Sequence, residues 1–486
     1  MQEMGFRDKF KDADKALTFN DVILLPGWTT LEPDEAVVQS KATRGITLNA
    51  PFISSPMDTV TESEMAIALA RQGCMGVLHR NCTAEEEVDM ARAVKRAEAL
   101  IIRDVITVAP EITVEEILRL MDDHQIHGFP VVENGDRLVG IVTSRDVRLA
   151  DSKLKIRDVM TREVYTGTEE TSLEDAKKIL HEHRIEKLPI VDDRGRVKGL
   201  MTMKDITLKG TYPDAVRDEE GRLVCAAAVS PFDLDRAKAL DKYVDVIFTD
   251  VAHFHNKNCF EATRKILKEV SAEVVVGNIG TYQAAEDCLT KLDGVAGLRV
   301  GIGSGSICST SVVTRAGAPT LYATSQAADA VKDYGSDVPI IADGGFRNPG
   351  DIAVAMAVGA SCAMMGNVFA GCSESPGRLV ALEGRYYKEY YGMGSPKARK
   401  KMFAQDRYSQ PSKAVSEGVE GWVPYRGQVQ DILGEFVGGL KAAMGYVGAR
   451  TIPEIWEKAR LALITERGAQ EIAPHDILLP GSNRNP

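Results

Sequence analysis

One cysteine of the chain has a setting that suits nucleophilic chemistry. Cys308 ends the segment GIGSGSIC, residues 301–308, in which three of the first five residues are glycine. Such a loop can bring its backbone close to a ligand or turn carbonyl groups toward a cation. Because a thiolate attacks electron-poor carbon far more readily than a hydroxyl does, Cys308 is the candidate nucleophile. A buried, inert cysteine is the alternative, and it is the state expected for most of the other seven cysteines, none of which forms a CxxC pair.

Two later segments end in glycine, a residue type that leaves backbone N–H groups open to an anion. They are IIAD followed by Gly344 and Gly345, and AMM followed by Gly366 and Asn367. The loops after the last two strands of a β/α barrel commonly form a phosphate site in this way. Asp343, directly before the first glycine pair, is then placed for a ribose hydroxyl, although an aspartate also suits a turn.

A scaffold for these loops is indicated by alternating strand and helix patterns. Short runs rich in β-branched residues are separated by helical stretches such as 348–360. The runs lie at 51–58, 73–81, 244–250, 273–279, 297–302, 338–343 and 361–366. Almost every run ends in a polar, glycine-rich or reactive loop, and barrels assemble their active sites from loops at the carboxyl ends of the strands. We therefore predict a (β/α)8 TIM barrel, with a doubly wound sheet as the alternative that pattern alone leaves open.

Residues 124–147 and 183–206 form an internal repeat. The two segments align without gaps at a constant offset of 59 residues (183 − 124). Each copy has the pattern of a helix end, a proline-led strand, a turn, a second strand and a new helix start. We therefore predict a compact module of two β-α units inserted into the barrel.

The composition is that of a globular protein, and its charge argues against nucleic-acid binding. The 486 residues are 44% apolar and 27% charged with a net charge of −11, whereas nonspecific nucleic-acid binding normally needs a basic face. No stretch approaches the ~20 apolar residues that span a bilayer, and residues 1–15 have no apolar core like that of a signal peptide. The sequence predicts a cytoplasmic protein that acts on small molecules, with neither a membrane nor a nucleic acid as partner.

Residues 385–426 interrupt the barrel pattern. They are polar, dotted with aromatic residues and too irregular for a core element. They predict a mobile flap over the site, with a disordered linker as the alternative.

Nine motifs in order carry a family resemblance. The motifs are LTFNDVILLP (17–26), SSPMDTVTE (54–62), HRNCT (79–83), VGNIGT (276–281), LRVGIGSGSIC (298–308), IADGGFRNPGDI (341–352), YYGMGS (390–395), DRY (406–408) and EGVEGWVPYRG (417–427). Together they resemble the IMP dehydrogenase / GMP reductase family along nearly the whole chain, and its IMP dehydrogenase branch most. The resemblance implies a (β/α)8 barrel in residues 1–102 and 211–486, with the flap at 385–427. The internal repeat resembles a tandem CBS pair, implied for 103–210 between the second and third barrel strands.

The resemblance implies oxidation of a purine nucleoside monophosphate at C2, IMP to XMP, in guanine nucleotide biosynthesis. Cys308 would attack C2 beside Thr310, and Arg407 with Tyr408 would activate the hydrolytic water. Because arginine is effectively always protonated, a relay from Thr310 to Glu417 is a second route. The implied substrate contacts are Ser306, Asp343, Gly345, Gly366, Asn367, Tyr390, Gly392 and Glu417, of which Glu417 would bind the base edge.

The resemblance also implies two cofactors and an assembly. NAD would accept the hydride, and a potassium ion would lie among backbone carbonyls. The implied NAD contacts are Asp250, which would bind the nicotinamide ribose, Ala252, His253, Asn278 and Gly301. The implied potassium ligands are carbonyls of Gly303, Gly305 and Cys308, with Glu471, Ile472 and Ala473 of a neighbouring subunit. The implied assembly is a homotetramer or octamer.

In the CBS family, a tandem pair binds adenine or guanine nucleotides in its cleft. Thr143 and Asp146 in the first copy, with Thr202 and Asp205 in the second, fall where ribose and phosphate are usually held. The alternatives are a module that only packs or oligomerises, and aspartates that are plain helix N-caps.

Several positions depart from the family pattern. Val251 replaces a hydroxyl residue and Phe254 a glycine beside the dinucleotide. The other departures are Ala296 for an aspartate, Asn367 for a serine, Tyr391 for an arginine and Thr320 for a glutamine. We expect Phe254 to obstruct the dinucleotide and weaken NAD binding or alter the cofactor, with stacking of its ring on the ligand as the alternative.

Three other functions stay open at this point. A paralogue could oxidise another purine nucleotide such as AMP, and a GMP reductase would share the cysteine loop. The reductase normally lacks the DRY-bearing flap, so Arg407 and Tyr408 argue against it. A catalytically silent, nucleotide-sensing regulator would suit the lost NAD contacts, but it would leave the retained Cys308 unexplained.

Overall fold

A computed structural model describes residues 13–97, 101–103, 105–124, 126–401, 403, 406 and 416–474, without the side chains of residues 204, 205, 208 and 209. The predicted residues Arg407 and Tyr408, and the side chain of Asp205, lie outside the described part. The chain divides into two compact units. The first comprises Met1–Val94, Asp214–Val216 and Val224–Pro486, and the second comprises Lys95–Pro213 and Arg217–Leu223.

The first unit contains a closed barrel of eight parallel strands, which confirms the predicted TIM-barrel fold. In chain order the strands are β1 (Phe52–Ser54), β2 (Met75–Leu78), β3 (Ala226–Val229), β4 (Val246–Thr249), β5 (Glu273–Ile279), β6 (Val295–Val300), β7 (Ile340–Asp343) and β8 (Cys362–Met365). The barrel closes where β8 pairs with β1, with Met365 opposite Ser54. β3 is absent from the predicted runs because its sequence, AAAV, carries almost no β-branched signal.

Alternate residues of the strands fill the barrel interior. Ala226 and Ala228 of β3, and Val246 and Phe248 of β4, belong to one buried apolar cluster, as the two-residue period of a strand requires. Because the interior is packed with side chains, it has no room for a ligand. A site must therefore form above it, in the loops.

Helices surround the barrel on its outer face. The main ones are Ser63–Arg71, Ala84–Arg96, Leu234–Leu240, Lys257–Glu269, Tyr282–Lys291, Thr320–Asp333, Pro349–Ala357 and Val429–Val447. Their starts follow local rules: Asn348 caps Pro349–Ala357, with proline at the first helical position. Shorter helical segments are Phe19–Asp21, Pro33–Glu35, Thr310–Thr314, Asn367–Ala370, Pro396–Lys400, Ile452–Lys458 and Glu466–Ile472. Within the described residues, no helix is long and apolar enough to cross a membrane.

The arms of the predicted flap are regular structure, so the expectation of an irregular segment was wrong for them. Leu379–Leu382, Arg385–Tyr391 and Glu420–Pro424 form a three-stranded antiparallel sheet. The tyrosines at the end of the middle strand, Tyr390 and Tyr391, are buried. The strand was not predicted because charged residues separate its tyrosines, so its sequence contains no run of apolar residues. Two further strand pairs are Val22–Leu25 with Arg460–Leu463, and Ser40–Lys41 with Thr47–Leu48.

The second unit consists of two similar halves. Its helices are Val114–His124, Ser144–Val147, Ile156–Val159, Leu173–Glu182 and Met203–Thr211, and its hairpins pair Gly128–Glu133 with Arg137–Thr143, and Lys187–Val191 with Val197–Thr202. Pro130 lies opposite Ile141, and Pro189 lies opposite Leu200, so the pairing repeats at the 59-residue offset of the sequence (189 − 130). The register irregularity in each hairpin repeats at the same offset. Each half has its own buried apolar cluster.

Removing residues 98–213 and joining the ends with a short glycine-serine linker should leave a folded barrel. The apolar clusters of this segment contain no barrel residue. Lys95, before the deletion, and Asp218, after it, are joined by an ion pair of 2.9 Å, so a short linker should connect the two ends. Thermal unfolding followed by circular dichroism should show one cooperative transition, within about 5 °C of the barrel transition in the full chain. Loss of that transition would mean that the barrel depends on the second unit.

Candidate active site

A cavity of about 280 Å³ lies at the carboxyl ends of the barrel strands. Loops after β1, β4, β6, β7 and β8 line it, together with the end of β5 and the end of the antiparallel sheet. Most of the predicted site residues line this cavity: Ala252, Asn278, Gly301, Gly303, Gly305, Ser306, Cys308, Thr310, Asp343, Gly345, Gly366, Asn367, Tyr390, Gly392 and Glu417. Asp250, His253, Glu471, Ile472 and Ala473 are not among the lining residues.

The cysteine loop follows β6 and folds tightly enough to require glycine. Gly301 has a φ of +115°, and a Cβ there would lie 2.8 Å from the carbonyl oxygen of Asp343. The Cys308 N–H donates to the carbonyl of Gly305 at 3.0 Å, which fixes the cysteine at the end of a turn. Cys308 is half-buried, whereas the other seven cysteines are buried. The structure thus separates one accessible thiol from seven packed ones.

A hydrogen-bonded chain leads from the thiol to a buried carboxylate. Cys308 Sγ donates to Thr310 Oγ1 at 3.3 Å, and Thr310 Oγ1 donates to Glu417 Oε2 at 2.8 Å. Glu417 is only 3% exposed, so its carboxylate is screened from bulk water. The Val419 N–H donates to the Ile307 carbonyl at 3.0 Å, which ties the Glu417 segment beside the cysteine loop. A hydroxyl between a thiol and a carboxylate can pass a proton in either direction.

Glycines and hydroxyl groups form another part of the cavity lining. Gly345 has a φ of +86°, and a Cβ on Gly366 would lie 2.7 Å from the Tyr390 hydroxyl. Asn367 Nδ2 donates to Ser306 Oγ at 3.3 Å. Burial raises the pKa of Tyr390, so its phenol stays protonated and can donate to an anion. Bare backbone and neutral donors of this kind suit a phosphate group.

A buried ion network lies beneath the cavity. Asp250 has no exposed side-chain surface; its carboxylate accepts from Arg80 Nε at 3.1 Å and faces Arg299 Nη1 at 3.5 Å. Arg299 Nε donates to Asp343 Oδ2 at 2.8 Å, and Asn278 Nδ2 donates to the same oxygen at 2.8 Å. Asp343 therefore has one carboxylate oxygen committed to the protein, while the residue still lines the cavity.

Sequence comparison connects this geometry to known proteins. The sequence model of the IMP dehydrogenase / GMP reductase domain matches residues 16–475. The chain belongs to this family. It is 56% identical to inosine-5'-monophosphate dehydrogenase of Korarchaeum cryptofilum, over 95% of this chain and 97% of the relative. It is 49% identical to the enzyme of that name from Thermoplasma acidophilum, over 98% and 97% of the two chains.

A solved structure of the same family has a closely similar fold. It is a cysteine-to-alanine variant of GMP reductase from Trypanosoma brucei, bound to guanosine 5'-monophosphate. The TM-score is 0.88 at 33% identity, and the match covers 97% of this chain and 100% of that chain. The shared fold therefore includes both branches of the family.

The departures from the family pattern near β4 have a structural explanation that differs from the expectation. Phe254 is fully buried, with its ring centroid 5.3 Å from that of Phe260, and Val251 is 3% exposed. The Phe254 N–H donates to the Asn278 carbonyl at 3.0 Å. The ring is core packing against helix Lys257–Glu269, so the expectation that it obstructs a ligand, or stacks on one, was wrong. Sequence position alone does not indicate which way a side chain points.

Two predicted NAD contacts lie outside the cavity wall. Asp250 is held by two arginines, so contact with a ribose would require it to exchange one of these partners. His253 is exposed, and partial desolvation of its ring, followed by the nearby His255, lowers its pKa, which favours the neutral ring. Ala252, between them, does reach the cavity.

No role was predicted from the sequence for Arg80, which belongs to this network, or for Ser230, whose hydroxyl bonds the Asp406 carboxylate. Arg80 follows β2 within the quoted motif HRNCT, and Ser230 follows the unpredicted strand β3. A signal for Arg80 was present, because a cation at the carboxyl end of a barrel strand is typical of an active site. Ser230 had none.

Iodoacetamide near neutral pH should modify Cys308 alone. Burial raises the pKa of Cys259 to about 11 and those of Cys82 and Cys372 to about 12, and it raises the pKa of Cys288 further. The buried thiols are also shielded from the reagent, whereas Cys308 is accessible to it. Peptide mapping by mass spectrometry tests this, with Cys308→Ser as the unreactive control. Faster alkylation of any other cysteine would contradict the assignment.

Replacing Val251 with Thr and Phe254 with Gly, the residue types usual in the family, should damage the core. Loss of a buried phenylalanine costs about 3–5 kcal/mol, so urea denaturation should show a fall of that size in the free energy of unfolding. Phe254→Leu keeps most of the packing and serves as the control, with a loss of about 1 kcal/mol. A double variant that keeps its stability and binds NAD more tightly would restore the original expectation.

Proposed function

We propose that the protein oxidises IMP at C2 to XMP, with NAD as hydride acceptor, in guanine nucleotide biosynthesis. The observation that carries the proposal is the chain from Cys308 through Thr310 to Glu417, at a cavity whose other wall suits a phosphate. Curated relatives that bear the name inosine-5'-monophosphate dehydrogenase, at 42–56% identity over nearly the full chain, support it.

The residues divide the reaction into two steps. The Cys308 thiolate adds to C2 and makes that carbon tetrahedral. The C2 hydrogen then leaves as hydride, with the electron pair of the C–H bond, and a covalent thioimidate remains. NAD, when bound, supplies the acceptor for that hydride. Water next adds to C2, its proton passes to a base, and the C–S bond breaks, which releases XMP and regenerates the thiolate.

Binding groups on the walls would hold the nucleotide in place for attack. Gly345, Gly366, Ser306 and Tyr390 would hold the 5'-phosphate, with Asn367 supporting Ser306. Asp343 would bind the ribose through the oxygen that does not face Arg299. The cavity is close to the lower end of the ~300–1,000 Å³ range of ligand pockets, so it suits one nucleotide. The remaining proposed substrate contacts are Gly392 and Glu417 at the base.

Ala252, Asn278 and Gly301 would hold the nicotinamide end of NAD, because all three line the same cavity as Cys308. Asp250 would contact the nicotinamide ribose, and His253 would add a further contact to NAD from the same loop. Two routes would activate the hydrolytic water. Arg407 with Tyr408 would act from the flap, and Thr310 with Glu417 from the loop beside the thiol.

GMP reductase is the second candidate, because of the TM-score of 0.88 to the Trypanosoma brucei enzyme. The reaction would run through the same cysteine but end in release of ammonia, with no hydrolysis. Sequence identity is lower to the reductase structures, at 30–33%, than to the named dehydrogenases. Retention of Arg407 and Tyr408 also favours hydrolysis.

A potassium ion would bind to carbonyls of the cysteine loop. Gly303, Gly305 and Cys308 line the cavity, and neutral carbonyl oxygens suit a monovalent cation. Glu471, Ile472 and Ala473 lie at the end of helix Glu466–Ile472, away from the cavity of their own chain, so they would serve a neighbouring subunit of a tetramer or octamer.

The second unit would bind adenine or guanine nucleotides as a CBS pair. In its first half, Thr143 and Asp146 follow the second hairpin strand, where the Asp146 carboxylate accepts from the Thr143 N–H and hydroxyl at 2.7 Å. This capping box satisfies backbone N–H groups at the helix start, which agrees with the alternative that Asp146 is a plain helix cap. It also presents two oxygens beside the end of a strand. Thr202 ends the equivalent strand of the second half.

Purified protein should produce NADH, followed at 340 nm, from IMP with NAD but not from AMP. Cys308→Ala should lower turnover by more than about a thousandfold and leave IMP binding within about tenfold, because it removes the nucleophile and no phosphate contact. Sodium in place of potassium, and added ATP or GTP, would test the cation and CBS proposals in the same assay. Oxidation of NADPH by GMP with release of ammonia would instead establish the reductase.

A further inference from the structure

Two hydroxyl groups join the cysteine loop to the end of β7. Ser304 lies in the middle of the loop, and its Oγ is 2.6 Å from Oγ1 of Thr320, which begins helix Thr320–Asp333. Both oxygens lie within hydrogen-bond distance of the Asp343 carbonyl, Ser304 Oγ at 3.1 Å and Thr320 Oγ1 at 2.8 Å. We call Ser304 and Thr320 the hydroxyl pair. Three segments that are separate in the sequence therefore meet at one backbone oxygen.

The end of β7 is a fixed point for this contact. The Asp343 carboxylate accepts from Arg299 Nε and Asn278 Nδ2, both at 2.8 Å, so the residue is anchored independently of the hydroxyl pair. Thr320 is 2% exposed, and a Cβ on Gly301 would lie 2.8 Å from its Oγ1. Thr320 is thus packed against the start of the cysteine loop. A hydrogen bond in such a setting is a stronger tether than one in water, because bulk water competes little for its donors.

Backbone contacts fix the two ends of the cysteine loop. At its start, Ile302 exchanges two hydrogen bonds with Ala318, both at 2.9 Å, and at its end the Cys308 N–H donates to the Gly305 carbonyl. Glycine gives the backbone wide conformational freedom, and Ser304 lies between two glycines, 303 and 305. Its hydroxyl therefore restrains the most flexible part of the loop.

The loop proposed to bind phosphate packs against the same serine. Gly344 and Gly345 follow Asp343 directly. A Cβ on Gly344 would lie 3.4 Å from Ser304 Oγ, and one on Gly345 would lie 3.7 Å from Ser304 Cβ. The hydroxyl pair therefore sets the spacing between these glycines and the loop that ends in Cys308. Misplacing a reacting group by about 1 Å can lower a rate about a hundredfold, so this spacing bears directly on the reaction.

We propose that Ser304 and Thr320 are positioning residues, which hold the cysteine loop against the phosphate-binding glycines so that the Cys308 thiolate meets C2 of the bound nucleotide. The inference rests on the proposed function, because it assigns the hydroxyl pair to the attack on C2. Neither hydroxyl needs to touch the substrate for this role, since the two contact each other and the Asp343 carbonyl. Thr320 stands where the family usually has glutamine, so its hydroxyl belongs to this chain's own departures.

Thr320→Val tests the proposal in the full-length protein, because it removes one hydroxyl and keeps the shape of the side chain. Ser304 can still donate to the Asp343 carbonyl, so its hydroxyl keeps a partner. We expect the first NADH burst with IMP and NAD to slow about three- to tenfold, the effect of losing one hydrogen bond. The dissociation constant of IMP should change less than about threefold, because no proposed phosphate contact is removed. Thr320→Ser, which keeps the hydroxyl, should retain the wild-type burst rate.

A matched control makes the same change one turn further along the same helix. Thr324 is also buried, and its hydroxyl donates to the Thr320 carbonyl at 2.7 Å, within the helix. Thr324→Val should leave the burst rate within about twofold of wild type. Hydrogen exchange supplies a readout that needs no substrate: amides in 302–308 should exchange faster in Thr320→Val than in wild type or in Thr324→Val.

Ser304→Ala should act in the same direction as Thr320→Val. The two changes together should slow the burst by less than the product of their separate fold-changes, because they remove the same contact. Multiplying effects would mean that the two hydroxyls act independently, which would contradict a paired role.

A burst rate in Thr320→Val within about twofold of wild type, an equal loss in Thr324→Val, or a slow burst in Thr320→Ser would overturn the positioning role and leave the proposed function intact. Weaker IMP binding with an unchanged burst at saturating IMP would also overturn it, because the hydroxyl pair would then serve binding alone. Wild-type protein that forms no NADH from IMP would overturn the proposed function and the role in attack together.

Discussion

The active-site face of the barrel depends on a carboxylate that has lost all contact with water. The Asp250 side chain is 0% exposed, and a buried charge is tolerated only when it is paired. Arg80 and Arg299 supply the pairs, and Arg299 extends the network to Asp343. Removing one partner of such a set costs about 3–5 kcal/mol, so the loops after β2, β4, β6 and β7 are held in one arrangement. The cysteine loop begins two residues after Arg299 and takes its position from that arrangement.

The position of the loop makes one thiol of eight useful. Cys308 is accessible and joined through Thr310 to Glu417, whereas burial raises the pKa values of packed cysteines such as Cys74 and Cys362 and keeps them protonated. Selectivity of this kind needs no special property of cysteine itself. It follows from which loop remains outside the apolar interior, and that loop is fixed by the ion network beneath it.

The barrel and most of the cavity wall could be predicted, because their signals are local. A glycine-rich turn ending in Cys308, or glycines after Asp343, can be recognised within a few residues. The ion network could not be predicted, since Arg80 and Asp250 are 170 positions apart and nothing near either residue indicates the other. The strand of Tyr390 was missed for a different reason. Its sequence is mostly polar, and Tyr390 becomes buried only when the strand pairs in the antiparallel sheet. The sequence pattern indicates local propensity, but it does not indicate which distant residues pair with each other.

One departure from the family pattern, Tyr391, contacts a buried carboxylate that also has a cation beside it. Tyr391 stands where the family usually has arginine, and its hydroxyl donates to the buried Asp58 carboxylate at 3.0 Å. A tyrosine brings no positive charge, but Lys401 Nζ lies 2.9 Å from the same oxygen of Asp58, and Asn81 Nδ2 donates to it at 2.9 Å. The buried carboxylate therefore has a cation beside it, supplied by Lys401, ten residues further along the chain than Tyr391 (401 − 391). A charge that is absent from one position of a segment can thus reach the same carboxylate from another position.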